Sequence, residues 1–157
     1  MKRLFFLMCI WAMILSLHAQ GIGNVKFGMP RSEAVSELEQ LFGTPSALSD
    51  DQMIYTNRDF EGYRWNQVVF NFKQGKLTEA RFFMDKNNKS HAKTEMRHMA
   101  SYFGKKYSIS DDIEEDGTEF YTCGKSPAGF GRLFTLFVAP RNAIWTTQLR
   151  FGPFNFN

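Results

Sequence analysis

The chain has 157 residues, 43% hydrophobic and 16% aromatic, with a formal net charge of +3. That size suits one domain with one continuous core, and the near-balanced charge argues against a clustered basic surface for nucleic acid. Only two cysteines are present, and Cys9 lies in the leader described next, so an internal disulfide is excluded from the mature chain.

Lys2 and Arg3 precede an apolar run, Leu4 to Leu17, and Ser16-Leu17-His18-Ala19 offers a small residue before Gln20. This is the pattern of a secretory signal peptide over 1–19. The run is shorter than the roughly 20 residues of a membrane helix. The mature chain is therefore expected to be exported, to a periplasm or cell surface, with no transmembrane segment. Without Lys2 and Arg3, 17 basic residues face 16 acidic ones. Of seventeen Phe residues, the fifteen beyond the leader supply the apolar area that must hold the fold without disulfides.

Met29-Pro30-Arg31-Ser32 starts a helix, with Pro30 at its first position and Glu33 in its first turn. Val35, Leu38, Leu41 and Phe42 share one face, and Gly43 with Pro45 stops the helix. Asp50 and Asp51 follow in a turn. Met53 to Thr56 reads as a short strand, and Asn57 to Gly62 as a loop. Tyr63 to Lys73 alternates, with Val68, Phe70 and Phe72 on one side and Tyr63, Trp65, Gln67, Val69 and Asn71 on the other. Gln74-Gly75 forms a hairpin turn, and Leu77 to Met84 returns with Ala80, Phe82 and Met84 inward.

Ser90 is the expected cap of a second helix, whose apolar stripe is Ala92, Met96, Met99 and Phe103, ending at Gly104. Asp111-Asp112 reads as a turn before a strand. Arg132 to Ala139 and Ile144 to Phe151 are the last strands, with Pro140-Arg141-Asn142 between them. The stretch from Phe42-Gly43 to Asp50-Asp51 recurs 61 residues later, from Phe103-Gly104 to Asp111-Asp112, with Phe, Gly, Ser, Asp and Asp in common. The expected fold class is therefore α+β. Two tandem α-β-β-β units, about 24–85 and 88–151, form one antiparallel sheet of six to eight strands with two helices on one face.

Phe27-Gly28-Met29, the helix through Val35 and Leu38, Phe42-Gly43-Thr44-Pro45, Val69-Phe70 and Gly75-Lys76-Leu77 form a pattern. In layout it resembles the β-lactamase-inhibitor protein and the small outer-membrane assembly lipoproteins of the SmpA/OmlA type. The second unit has Gly104-Lys105-Lys106 in place of Gly-x-Pro, and a lipidated cysteine is missing. The resemblance implies an exported, non-catalytic module that binds another protein.

His91, Glu95 and His98 share a helical face, where two imidazoles and a carboxylate have the chemistry of a zinc site. No fourth ligand accompanies them, so a polar flank is the preferred reading, and neither metal nor cofactor is expected. Cys123 lacks a companion base in sequence and reads as structural. With the helices on one face, the outward face is expected to carry Tyr55, Tyr63, Trp65, Val69, Arg81, Phe83, Tyr121, Arg132, Phe134, Leu136 and Arg150. Aromatics with arginines are the composition of binding hot spots. The expected function is a non-enzymatic binding protein holding a protein or envelope component on that face. Its alternative is an envelope assembly factor acting as a homo-oligomer, a homodimer included. A binding role predicts that Trp65→Ala and Arg81→Ala spare stability.

Overall fold

The computed structural model describes residues 21–156. The signal-peptide reading lies outside the described residues. Among these residues, no helix is long and apolar enough to cross a membrane.

The chain is of mixed α+β class. A small hairpin, β1 (Gly21–Ile22) and β2 (Val25–Lys26), leads to α1 (Arg31–Phe42). Four strands follow: β3 (Ala47–Leu48), β4 (Gln52–Phe60), β5 (Tyr63–Lys73) and β6 (Lys76–Lys86). Then come α2 (Lys89–Phe103) and β7 (Ile109–Ile113), β8 (Glu119–Cys123), β9 (Phe134–Arg141) and β10 (Ile144–Phe151). The eight strands β3 to β10 form one antiparallel sheet in the order β3-β4-β5-β6-β10-β9-β8-β7, so the two long strands β6 and β10 meet at its centre.

Local chemistry sets most boundaries. Pro30 stands just before α1, with φ −57, so it is the cap and not the first helical residue. Gly43 ends that helix at φ 79, a backbone conformation that glycine adopts without steric penalty. For α2 the cap is Asn88 rather than Ser90, because its Oδ1 accepts from the His91 N–H at 2.9 Å. Gln74-Gly75, Glu61-Gly62 and Asn142-Ala143 all have positive φ at both turn positions, which suits two-residue hairpins between twisted strands. The last two turns lie later in the chain than the sequence implies. Strand β4 runs on to Phe60 and β9 to Arg141. Asp111 and Asp112 stand within β7, not in a turn.

Both helices cover the same face. Ala34, Leu38 and Phe42 of α1 are buried, at a spacing of four, whereas Leu41 is exposed and Val35 only partly covered. From α2, Ala92, Met96, Met99 and Phe103 enter the core as their spacing predicts. An aromatic chain ties the layer together. Phe82 lies 4.6 Å from Phe60, 5.4 Å from Trp65 and 6.0 Å from Phe151, ring centre to ring centre. Phe151 reaches Phe134, and Phe134 reaches Phe103 of α2, each at 5.1 Å. The tail is also fixed: Phe154 donates its N–H to Thr78 O at 2.9 Å and packs on Phe27. Gly28 sits at φ +90, where a Cβ would stand 3.1 Å from the Phe156 ring, so Phe27-Gly28-Met29 needs its glycine.

Candidate functional site

The face away from the helices is built from alternate residues of the central strands. One row is Ile54, Val69, Arg81, Arg150 and Thr135, each opposite the next across β4, β5, β6, β10 and β9. The neighbouring row is Thr56, Gln67, Phe83, Gln148 and Phe137. These rows follow from strand alternation, since Ala80, Phe82 and Met84 fill the core between them.

Four of the eleven expected residues lie on this open face: Val69, Arg81, Phe83 and Arg150. Six belong to the helix-covered side instead. Tyr55 packs against Phe42, ring centres 5.4 Å apart, and burial pushes its hydroxyl pKa up to about 12. Trp65 is 0% exposed, donates its indole N–H to Phe60 O at 3.1 Å, and lies edge-on to Tyr63. Tyr63 in turn meets Tyr102 and Phe103 of α2. Phe134 and Leu136 are buried in the core, and Tyr121, opposite Leu136, packs against it. Arg132 is the eleventh; it precedes β9, is exposed, and donates weakly to Ser110 Oγ at 3.4 Å.

Two physical causes explain the misplacement. In β5 the alternation slips by one residue at Asn66. Pairing with β6 begins only at Gln67, and Asn66 Oδ1 takes up the Asp85 N–H at 2.9 Å. Trp65 and Val68, three residues apart, therefore both face the core. In β9 both alternating sets are apolar, so period two does not say which faces inward.

The open face carries a polar network with a charge imbalance. Gln52 donates to Asn71 at 2.9 Å, and Asn71 donates to Glu79 at 2.6 Å. The other Glu79 oxygen accepts from Arg150 Nε at 2.5 Å. Glu79 is thus fully engaged with Asn71 and Arg150. Beside it, Arg81 lies 5.1 Å from the centre of the Phe83 ring and Arg141 4.0 Å from the same centre. Arg141 also donates to Gln67 Oε1. Those two residues stand on β9 and β5, three strand intervals apart, or about 14 Å on a flat sheet. Their direct bond shows that the sheet curls toward itself on this side. The resulting groove has a volume of about 460 Å³, and its charged lining residues are Arg81 and Arg141.

Arg81 is the unusual member. Its Nε is buried and meets no hydrogen-bond acceptor. Burial lowers its pKa from the ordinary arginine value, Glu79 works the other way, and the nearby Arg150 and Arg141 charges add to the lowering. Sequence reasoning missed Arg141, Gln67 and Gln148 as groove residues. Arg141 was hidden by the turn assignment, although it continues the alternation Phe137, Ala139, Arg141.

Elsewhere, Glu95 is bound to Lys86 Nζ at 2.8 Å and lines one shallow depression with His91 and His98. Among the described residues, no group of three or more His, Cys, Asp or Glu is placed to hold a metal ion. Cys123 is buried, and burial pushes its thiol pKa up to about 12 against a smaller opposing effect of Arg132. Glu119 accepts two bonds from Arg97, at 3.0 and 2.7 Å, and one from the Tyr121 hydroxyl. Compared with known families, curated proteins and solved structures, the chain matches none.

Proposed function

We propose that the protein is an exported, non-enzymatic binding module that holds a protein or cell-envelope partner on the open face of its sheet. The observation that carries this reading is the Arg81–Phe83–Arg141 cluster. Two guanidinium groups and an aromatic ring, from the central strand β6 and the end of β9, meet in one groove on the face opposite the helices. Arginine and aromatic anchors of this kind dominate binding energy where proteins meet. The groove lining is guanidinium, amide and hydrocarbon, a composition suited to recognition rather than to nucleophilic or acid–base chemistry. The leader over 1–19 supports export.

The fold reading that accompanies this is a tandem repeat. Each helix is followed by four strands, one more than the α-β-β-β unit expected from the sequence, and the sheet order reads outward alike from β6 and β10. Thr78, Ala80, Phe82 and Met84 correspond in sequence to Trp145, Thr147, Leu149 and Phe151. Ala80 pairs with Phe151 and Met84 with Thr147, with Phe82 and Leu149 opposite each other between them. That register is what two equivalent strands related by a local twofold axis would give, and it supports the β-lactamase-inhibitor-like layout.

The experiment is photo-crosslinking in intact cells from a photoreactive residue at Ile54 or Gln67, on the open face, and at Leu41, on the exposed side of α1. The reading expects a discrete adduct from the first two positions only. No adduct from either open-face position, or an equal adduct from Leu41, would contradict it.

A further inference from the structure

We infer that the Arg81–Arg141 groove is a carboxylate site, and that its occupant is an acidic segment of a partner protein. This rests on the reading of the open face as a binding surface and gives that surface its chemistry.

Arg81 carries an unpaired buried donor. Leaving a buried N–H without an acceptor is unfavourable, so each such group calls for an explanation, a bound molecule that supplies the acceptor among them. Arg81 Nε is such a donor, and the nearest carboxylate on its own strand, Glu79, is already engaged by Arg150 and Asn71. The second guanidinium, Arg141, is braced by Gln67 and by the same Phe83 ring. Phe83 is only 4% exposed, and both cations lie on it. An acceptor entering the groove would meet two guanidinium groups that rest on one aromatic ring. Guanidinium forks match a carboxylate in geometry and charge.

The rest of the lining decides between ligands. Phosphate sites gather free backbone N–H groups or a helix N-terminus. Here β5, β6, β10 and β9 pair with their neighbours along the groove, and both helices lie on the opposite face. The donors offered are side chains alone. Beside the two arginines stand the amides of Gln52, Gln67, Asn71 and Gln148, which both donate and accept and therefore suit peptide groups. A groove with two unneutralised charges and an amide rim fits a chain segment bearing an Asp or Glu. The chain has an acidic segment of its own, from Asp111 to Asp116, on the edge strand β7 and its turn, so a second copy is a competing occupant.

The test follows the Arg81 and Arg141 Nε–H signals of the purified protein by ¹⁵N NMR during titration with a hexaglutamate peptide. Hexaglutamine and inorganic phosphate are titrated in parallel. The expected result is a saturable shift of both signals with hexaglutamate only, weakened by added salt, with affinity reduced roughly tenfold or more in Arg81→Gln, read from the Arg141 signal, and in Arg141→Gln, read from the Arg81 signal. Unfolding curves of both variants establish that they remain folded. No shift with hexaglutamate, an equal shift with phosphate or hexaglutamine, or undiminished binding by folded Arg81→Gln would each overturn the proposal. So would loss of the signals on raising protein concentration alone, with a rising mass by light scattering, because the groove would then hold a second copy. If Arg81→Gln keeps the open-face crosslink in cells, the carboxylate site fails while the binding face stands. If the open-face crosslink is absent from the unaltered protein, the binding face itself fails.

Discussion

Replacing Trp65 by Ala separates two accounts of the same residue. As a surface anchor it would contribute to capture and little to stability. As a core residue it contributes to the fold. Its side chain is 0% exposed, in contact with Phe82 and Tyr63, and its N–H is bonded to Phe60 O. Burying roughly 200 Å² of aromatic side chain at about 25 cal/mol per Å² corresponds to about 5 kcal/mol. Large-to-small substitutions of buried Phe or Trp typically cost about 3–5 kcal/mol, cavity included. The expected loss for Trp65→Ala is therefore about 4 kcal/mol, a large share of the ~5–15 kcal/mol that holds a domain together. Trp65→Phe keeps an aromatic ring but removes the hydrogen bond, and should cost about 1–2 kcal/mol. Urea unfolding followed by far-ultraviolet circular dichroism measures both. A Trp65→Ala midpoint within about 1 kcal/mol of the unaltered protein would refute the placement of Trp65 in the core and the slip in β5 that puts it there.

Arg81→Met should behave in the opposite way: it removes a buried unpaired donor at the expense of a ring contact worth about 0.5–1 kcal/mol, so stability should hold or rise by about 1 kcal/mol in the same urea experiment. A loss above about 2 kcal/mol would make Arg81 a structural residue. Cys123, with its thiol pKa pushed up to about 12, should resist iodoacetamide at pH 8 while folded and react in urea, as read by mass spectrometry. Rapid labelling of the native protein would contradict its burial. The Glu119 carboxyl is held below the usual range, first by its bond to Arg97. A depressed folded pKa adds stability above the unfolded value, about 4.3, and that stability is lost as pH falls through the lower folded value. Glu119→Gln should therefore differ most from the unaltered protein at neutral pH and converge with it only as pH falls through the lowered folded value, in thermal melts carried from pH 7 into the acid range.

Element type was legible where a residue acts locally. Gly43 ended α1, Gln74-Gly75 closed the β5–β6 hairpin, and the α2 stripe Ala92, Met96, Met99 and Phe103 entered the core. The facing of strands was legible only where one side was polar, as in β6, where Glu79 and Arg81 alternate with Ala80 and Phe82. It failed in β9, where Phe134, Leu136 and Val138 compete with Phe137 and Ala139, and in β5, where the slip at Asn66 stands opposite Asn57 of β4 with its positive φ. The groove was harder still to foresee. Arg141 meets Gln67 from three strands away because the sheet curls, and curvature arises from pairing and packing along the whole sheet rather than from any local run of residues.

The most direct test of the open face as a binding surface is arginine-selective labelling with phenylglyoxal, comparing the protein in intact cells with the purified protein. Arg64 is the internal reference, since its side chain is 62% exposed and lies outside the groove. An occupied groove predicts that Arg141 reacts several-fold more slowly in cells while Arg64 reacts equally in both. Equal reaction of Arg141 in both settings would mean that nothing covers the groove, and would contradict the proposed function.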